Sequence, residues 1–332
     1  MIQKTEVRPI AYNYDFKEAV KWYNSTGLQS RNMNFFARWV YNVYKIASLP
    51  GTDSSCIERL AVDKTKLSIF AILVDDLADN VELRNKELLE KAIRIPFNGS
   101  KIFKNKYLEV TRELWNDIIG SVSSYPRYRD FKEIFFFDLD QFFNSIKYAY
   151  LVNSSDFYNI QEGMIYSPNN MMIIIYLDMD LMCSPCFDKS ELKKVRPIFH
   201  YIQDIMHVGN ILNTFPREIE ELDFSSPIIT LGLSEDVIKK EDVANNPEQV
   251  LRDLNYFIPY YKQRVEEDFE KIIDQSYNVV SIDFNEFYPR LRKIWDSFLH
   301  RPHYWKKEEA RQMATQNLMI GKDKNRIKWV RI

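Results

Sequence analysis

Glycine is scarce in this chain, with 8 among 332 residues, against a usual share of ~7%. Gly-rich phosphate loops, tight hairpins and doubly wound nucleotide-binding sheets are hard to build on so few, whereas long helices tolerate the scarcity. Cysteine is scarcer still. Cys56, Cys183 and Cys186 are an odd set, so no disulfide framework is implied and a reducing compartment is the default. Cys183 and Cys186 form a lone C-x-x-C with no second pair and no histidine at finger spacing; they read as two helix-borne thiols without a chemical role. Net charge is nearly absent as well. With 45 Lys and Arg against 47 Asp and Glu, a nucleic-acid surface built on bulk positive charge is excluded. The longest apolar run, Met171–Leu177, stops at Asp178 far short of a membrane span, and Met1–Phe16 lacks the apolar stretch of a secretion signal. The expectation is a soluble, cytoplasmic protein with no nucleic-acid partner and no stable membrane insertion.

What the chain does have is rings and helical periodicity. Aromatic residues reach 14%, so the interior, or a cavity in it, is lined heavily by them. Phe36, Trp39, Val40, Val43, Tyr44 and Ala47 fall on one stripe of a helix beginning after Arg31. The same spacing predicts helices over 15–26, 32–48, 56–80, 84–94, 103–121, 128–152, 156–183 with a break at Ser167–Pro168, 189–221, 245–276, 283–299 and 307–318. Turn chemistry separates them, as at Leu49-Pro50-Gly51, Asn98-Gly99-Ser100 and Ser225-Ser226-Pro227. Leu222–Asn246 lacks firm periodicity and reads as a lid or binding loop. With no repeat and no linker, the fold class is all-α, a single-domain helical bundle over 1–332 in which 1–34 form an N-terminal segment.

Two polar clusters interrupt the apolar pattern. Asp75-Asp76-Leu77-Ala78-Asp79 follows an apolar helix abruptly. Asp75 and Asp79 share a helical face one turn apart, about 6 Å along the axis, which two carboxylates can bridge through hard cations. The alternative, a solvated helix end, places three negative charges at the negative pole of a helix dipole, where only a cation relieves them. Roughly 130 residues further along, Asn210, Thr214 and Glu218 recur at every fourth position. That spacing stacks a carbonyl, a hydroxyl and a carboxylate on one face, all oxygen donors of the kind Mg²⁺ takes. Two such stripes facing each other across a bundle can hold a polyanion through bridging metals.

The pair of clusters resembles the aspartate-rich D-D-x-x-D motif and the N-D-x-x-S-x-x-x-E triad of the class I terpene synthases. Asp75, Asp76 and Asp79 fit the first; Asn210, Thr214 and Glu218 fit the second, with Thr in an accepted Ser position and Ile211 where Asp is usual. Arg217 matches a basic residue that many members direct at the diphosphate. Asn317-Leu318 followed by Arg326 is similar to the family's C-terminal N-L-x-W…R-Y segment, although Ile320 and Ile327 replace its Trp and Tyr. No arginine lies between Asp130 and Val195, and Gln161 occupies the place of the family's diphosphate-sensing arginine.

The resemblance covers roughly residue 35 to the end and implies a class I terpenoid synthase bundle, three Mg²⁺ ions and a C15 or C20 prenyl diphosphate substrate, bicyclic C20 diphosphates included. On it, Asp75, Asp76, Asp79, Asn210, Thr214 and Glu218 are metal ligands, Arg217 and Arg326 bind the diphosphate, and Asp75, Arg217 and Arg326 carry the catalysis. It also leaves homodimer formation open. Ionisation would release pyrophosphate and leave a carbocation that needs an apolar, ring-lined pocket. The crowded rings of 135–150 read first as core, since helical geometry spreads them all round. The break at Tyr166–Asn170 reads either as a plain loop or as a freed carbonyl facing the cation, and His207 as a packing residue. A chain-elongating prenyltransferase, which needs a second D-D-x-x-D, and a non-catalytic helical scaffold are the other readings.

Overall fold

Helix after helix, the chain is built as its periodicity predicts. The computed structural model describes residues 15–26, 32–97, 103–155 and 157–299. Within them lie α1 (Lys17–Ser25), α2 (Met33–Ile46), α3 (Ile57–Asp75), α4 (Lys86–Ala92), α5 (Lys106–Val122), α6 (Tyr128–Ser154), α7 (Ile160–Tyr166), α8 (Ile173–Met182), α9 (Leu192–Glu220), α10 (Pro227–Ser234), α11 (Lys240–Asn245), α12 (Pro247–Leu254), α13 (Ile258–Ser276) and α14 (Phe284–Leu299). No strand occurs among the described residues. The fold class is therefore all-α. None of these helices is long and apolar enough to cross a membrane. Segment 307–318 lies outside the described residues.

Two helices organise the rest. α3 is buried on every side from Leu60 to Val74, the mark of a helix enclosed by others, and it packs against α2, α5 and α8. α9 buries one broad face against α8, α13 and α14. One apolar cluster runs from Ala19 on α1 to Phe298 on α14. The crowded rings of α6 belong to it: Phe135, Phe142 and Phe143 are buried, and Phe137 points into solvent. At Gly209 the α9 backbone meets the Phe298 ring so closely that an added Cβ would sit 2.8 Å from it. Glycine is required there by the approach of α14, and Asn213 Nδ2 fixes that approach by donating to the Phe298 carbonyl at 3.0 Å.

The structure corrects four boundaries. Leu222–Asn246 is not a loop: α10 and α11 form in it, too short for a periodicity argument and started at Pro227, a favoured first position. The predicted helix over 245–276 is divided at Asn255–Phe257 by a 3₁₀ turn ahead of Pro259. α3 ends at Asp75, before the last carboxylate of its cluster. Cys183 caps the C-terminus of α8 and Cys186 lies exposed beyond it, so neither thiol sits within a helix.

Inside the bundle, Lys64 Nζ of α3 lies 2.5 Å from Asp180 Oδ1 of α8, with both side chains almost fully buried. Asp180 Oδ2 accepts from the Leu49 amide at 3.2 Å. Burial pushes the Asp180 carboxyl up and Lys64 opposes it. Removing one partner leaves a buried charge uncompensated, so Lys64→Met should cost about 3–5 kcal/mol. In Lys64→Met combined with Asp180→Leu, most of that loss should return. Urea unfolding of the three proteins checks this; equal stability of parent and single variant would show that the pair is not a buried charge pair.

Candidate functional site

Where α3, α8 and α9 meet α2 and α14, their side chains enclose a cavity of about 200 Å³. Asp75 and Asp79 line it from one side, Asn210, Thr214, Arg217 and Glu218 from another. The two clusters that lie far apart in sequence thus share one cleft. Beneath this polar rim the wall is apolar, formed by Phe36, Trp39, Val40, Val43 and Tyr44 of α2 together with Ala71, Ile72, Ile173, Met206 and Phe298. The α2 stripe legible in the sequence is that wall. A separate, smaller space of about 40 Å³ shares Val43, Tyr44, Ile173, Tyr176 and Met206 with this wall and is lined further by Ile202, Phe287, Leu291, Ile294 and Lys64.

The first cluster keeps its geometry although α3 ends within it. The Asp79 amide still donates to the Asp75 carbonyl at 3.1 Å, so the two side chains stay one turn apart. Asp75 Oδ1 accepts from Asn170 Nδ2 at 3.1 Å. Asn170 is in the break between α7 and α8, a 3₁₀ turn over Ser167–Met171 closed by Met172 at φ 54°. That break is real, and Asn170, Met171 and Ile173 bring it to the cleft wall. Asp76 turns the other way. It is buried beneath α1, accepts from the Tyr23 hydroxyl at 3.5 Å, and is not among the residues lining the cleft.

The dipole problem of three carboxylates at a helix C-terminus is met in part by protein. Arg84 donates to the carbonyls of Ala78 and Asp79, each at 3.0 Å, and to the Asn153 carbonyl at 2.8 Å. A cation at the last carbonyls is the favoured arrangement there. The Asn153 side chain continues the link across the cleft, donating to Asp223 Oδ1 at 2.7 Å and accepting from the Phe224 amide at 2.8 Å.

Asp223 follows the second cluster because Leu222, at φ 53°, reverses the chain after α9. It lines the cleft with Ser225, whose amide and hydroxyl donate to it at 3.0 and 2.6 Å. Among the described residues, four carboxylates, Asp75, Asp79, Glu218 and Asp223, therefore surround a rim whose single guanidinium is that of Arg217, itself 3.5 Å from Glu221. Burial foremost, then the Asp223 charge, push the Glu218 carboxyl up to about 7, against Arg217. Its Oε2 is buried, and the Ser226 and Thr214 hydroxyls beside the carboxyl oppose the rise. Thr214 Oγ1 is within hydrogen-bonding reach of both the Asn210 carbonyl, at 2.9 Å, and Glu218 Oε1. A hydroxyl has one proton, so Thr214 shares it between these two acceptors.

These donors suit a hard cation: carboxylates, an amide and a hydroxyl, with no thiol or imidazole at the rim. Among the described residues, no three His, Cys, Asp or Glu side chains converge closely enough to hold an ion by themselves. An ion here needs waters or an anion to complete its shell, as Mg²⁺ commonly does. Of the remaining predicted residues, Gln161 is exposed in the first turn of α7 and does not line the cleft, and Arg326 lies outside the described residues. His207 is buried and held down to about 3 by desolvation, so it packs as a neutral ring. Asn170, Asp223, Arg84 and Asn153 had no motif to mark them; only Pro168 in the break and the end of the helical pattern near Glu221 pointed to their neighbourhoods.

No protein-family model matches the chain, and no curated protein matches it in sequence.

A raised carboxyl pKa means that the folded state holds a proton which the unfolded state has released. Between about pH 4.5 and 7, where these two values lie, stability therefore falls as pH rises. Glu218→Gln removes that fall. Without metal, the variant should match the parent in melting temperature near pH 4.5 and exceed it above pH 7. Parallel melting curves across this range would show that the carboxyl ionises as it does in water.

Proposed function

We propose that the chain is a class I terpene synthase that ionises a C15 or C20 prenyl diphosphate and cyclises or rearranges the resulting carbocation, releasing pyrophosphate. The observation that carries this reading is the meeting of the two oxygen-rich clusters on facing walls of one cleft whose floor is apolar and ring-lined. A hydrolase of polar substrates has no use for such a floor. A scaffold has no reason to bury Glu218 beside the like charge of Asp223.

In this reading Asp75 and Asp79 hold metal from one side, and Asn210, Thr214 and Glu218 from the other. Asp76, turned beneath Tyr23, supports the end of α3 and does not ligate. Mg²⁺ supplies charge neutralisation of the leaving pyrophosphate. Arg217 adds a guanidinium able to bond phosphate oxygens in bidentate fashion, exchanging its Glu221 contact for the substrate's. Arg326 is proposed as a second such donor. Phe36, Trp39 and Phe298 line the tail's pocket and offer ring faces to the cation. Because α9 presents Asn, Thr and Glu where a chain-elongating prenyltransferase carries a second D-D-x-x-D, cyclisation without elongation is favoured.

The test is incubation with farnesyl or geranylgeranyl diphosphate and Mg²⁺, with pyrophosphate assay and analysis of the organic extract. Asp75→Ala and Asp79→Ala should each abolish turnover while leaving the helical signal intact. Thr214→Ser, which keeps the hydroxyl, should retain far more activity than Glu218→Ala. Near-normal activity in both aspartate variants would reject the metal assignment, and absence of pyrophosphate release with every substrate would reject the reading itself.

A further inference from the structure

Three hydroxyls stand in the otherwise apolar wall of the cavity. Ser68 of α3 lies between Tyr44 of α2 and Tyr176 of α8, with its Oγ 2.6 Å from the Tyr44 hydroxyl and 2.9 Å from that of Tyr176. All three line the cavity, and the two tyrosines also line the smaller space beside it. Their rings are 4.8 Å apart and tilted by 54°.

The protons of this group can be assigned. The Ser68 hydroxyl donates to the Lys64 carbonyl at 2.9 Å, so its single proton is used. Both contacts with Tyr44 and Tyr176 then require the tyrosines to donate to Ser68 Oγ, which accepts through its two lone pairs. Burial pushes both phenols up, so they keep their protons. Besides a contact of the two phenol hydroxyls with each other, the Tyr176 hydroxyl approaches the Met172 sulfur at 4.0 Å. Each phenol oxygen is left with acceptor capacity and no donor to spare. Two acceptors converging on one serine match the two protons of one water, and a buried water needs two to four polar partners. A water held by both its protons directs its lone pairs outward, towards whatever electron-poor carbon the cavity contains.

Resting on the terpene synthase reading, we infer that Tyr44, Ser68 and Tyr176 position one water in the apolar part of the cavity and that this water ends the reaction, so the product is a terpene alcohol. The water oxygen bonds to the cationic carbon, and the proton it sheds passes to a pyrophosphate oxygen in the same cleft. Tyr44 and Tyr176 act as positioning residues. Neither tyrosine is left ionised, and the shed proton departs with the pyrophosphate.

The experiment uses the full chain with farnesyl or geranylgeranyl diphosphate and Mg²⁺ in heavy-oxygen water. The parent should give an alcohol carrying the heavy oxygen, whereas phosphatase cleavage at phosphorus leaves the original oxygen on carbon. In Tyr44→Phe/Tyr176→Phe, pyrophosphate release should persist while the ratio of labelled alcohol to hydrocarbon falls roughly tenfold, the effect of two weak hydrogen bonds lost. Each single variant should fall between. Hydrocarbon alone from the parent overturns the inference and leaves the synthase reading standing, whether or not any variant folds. An unchanged ratio in the variants overturns it as well. Absence of pyrophosphate release from the parent overturns both.

Discussion

Arg84 and Asn153 close the polar end of the bundle, and the cleft depends on that closure. Arg84 grips the carbonyls at the end of the first carboxylate cluster, and Asn153 grips the turn that follows the second. The two are joined directly, guanidinium to backbone carbonyl. Without that joint, two helix C-termini bearing four carboxylates would repel each other across a partly dry gap. With it, negative charge is held at fixed spacing while the arginine is spent on backbone oxygens and does not neutralise the carboxylates themselves. The rim stays acidic because Arg84 is engaged elsewhere and Arg217 faces four carboxylates.

The apolar floor and the acidic rim make opposite demands. Packing favours a full core, and a closed core would leave the rim as surface decoration. The chain resolves this by keeping Phe131, Phe135, Phe142 and Phe143 of α6 in the interior and setting rings of α2, α8 and α14 around the cavity. Glycine appears where α14 must come closest, at Gly209, and the left-handed Met172 lets α8 start at a new angle after the break. Both features serve the cavity more than the stability of the elements in which they lie.

Much of this was legible in the sequence. Long elements with sustained periodicity, such as α2, α6 and α9, follow the prediction closely, because burial of one face over several turns outweighs local preference. Asp75, Asp79, Asn210, Thr214 and Glu218 were placed by spacing alone, since positions one turn apart share a face whatever surrounds them. What spacing could not give was direction across the bundle. Asp76 has the same chemistry as its neighbours, yet α1 takes it away from the cleft. Asp223 joins the site only because Leu222 adopts a left-handed turn, and α10 and α11 are too short to carry a period. The ring-rich segment of α6 attracts attention by composition, but the cavity takes its rings from helices with fewer of them.

The Lys64–Asp180 pair has a consequence for how such a cavity changes over evolutionary time. Lys64 lines the smaller space beside the cavity. Shortening Lys64 or Asp180 alone strands the other's charge in the interior. That wall is therefore reshaped cheaply only by replacing both partners together, whereas Ala47, Ile202 and Leu291 can each change singly.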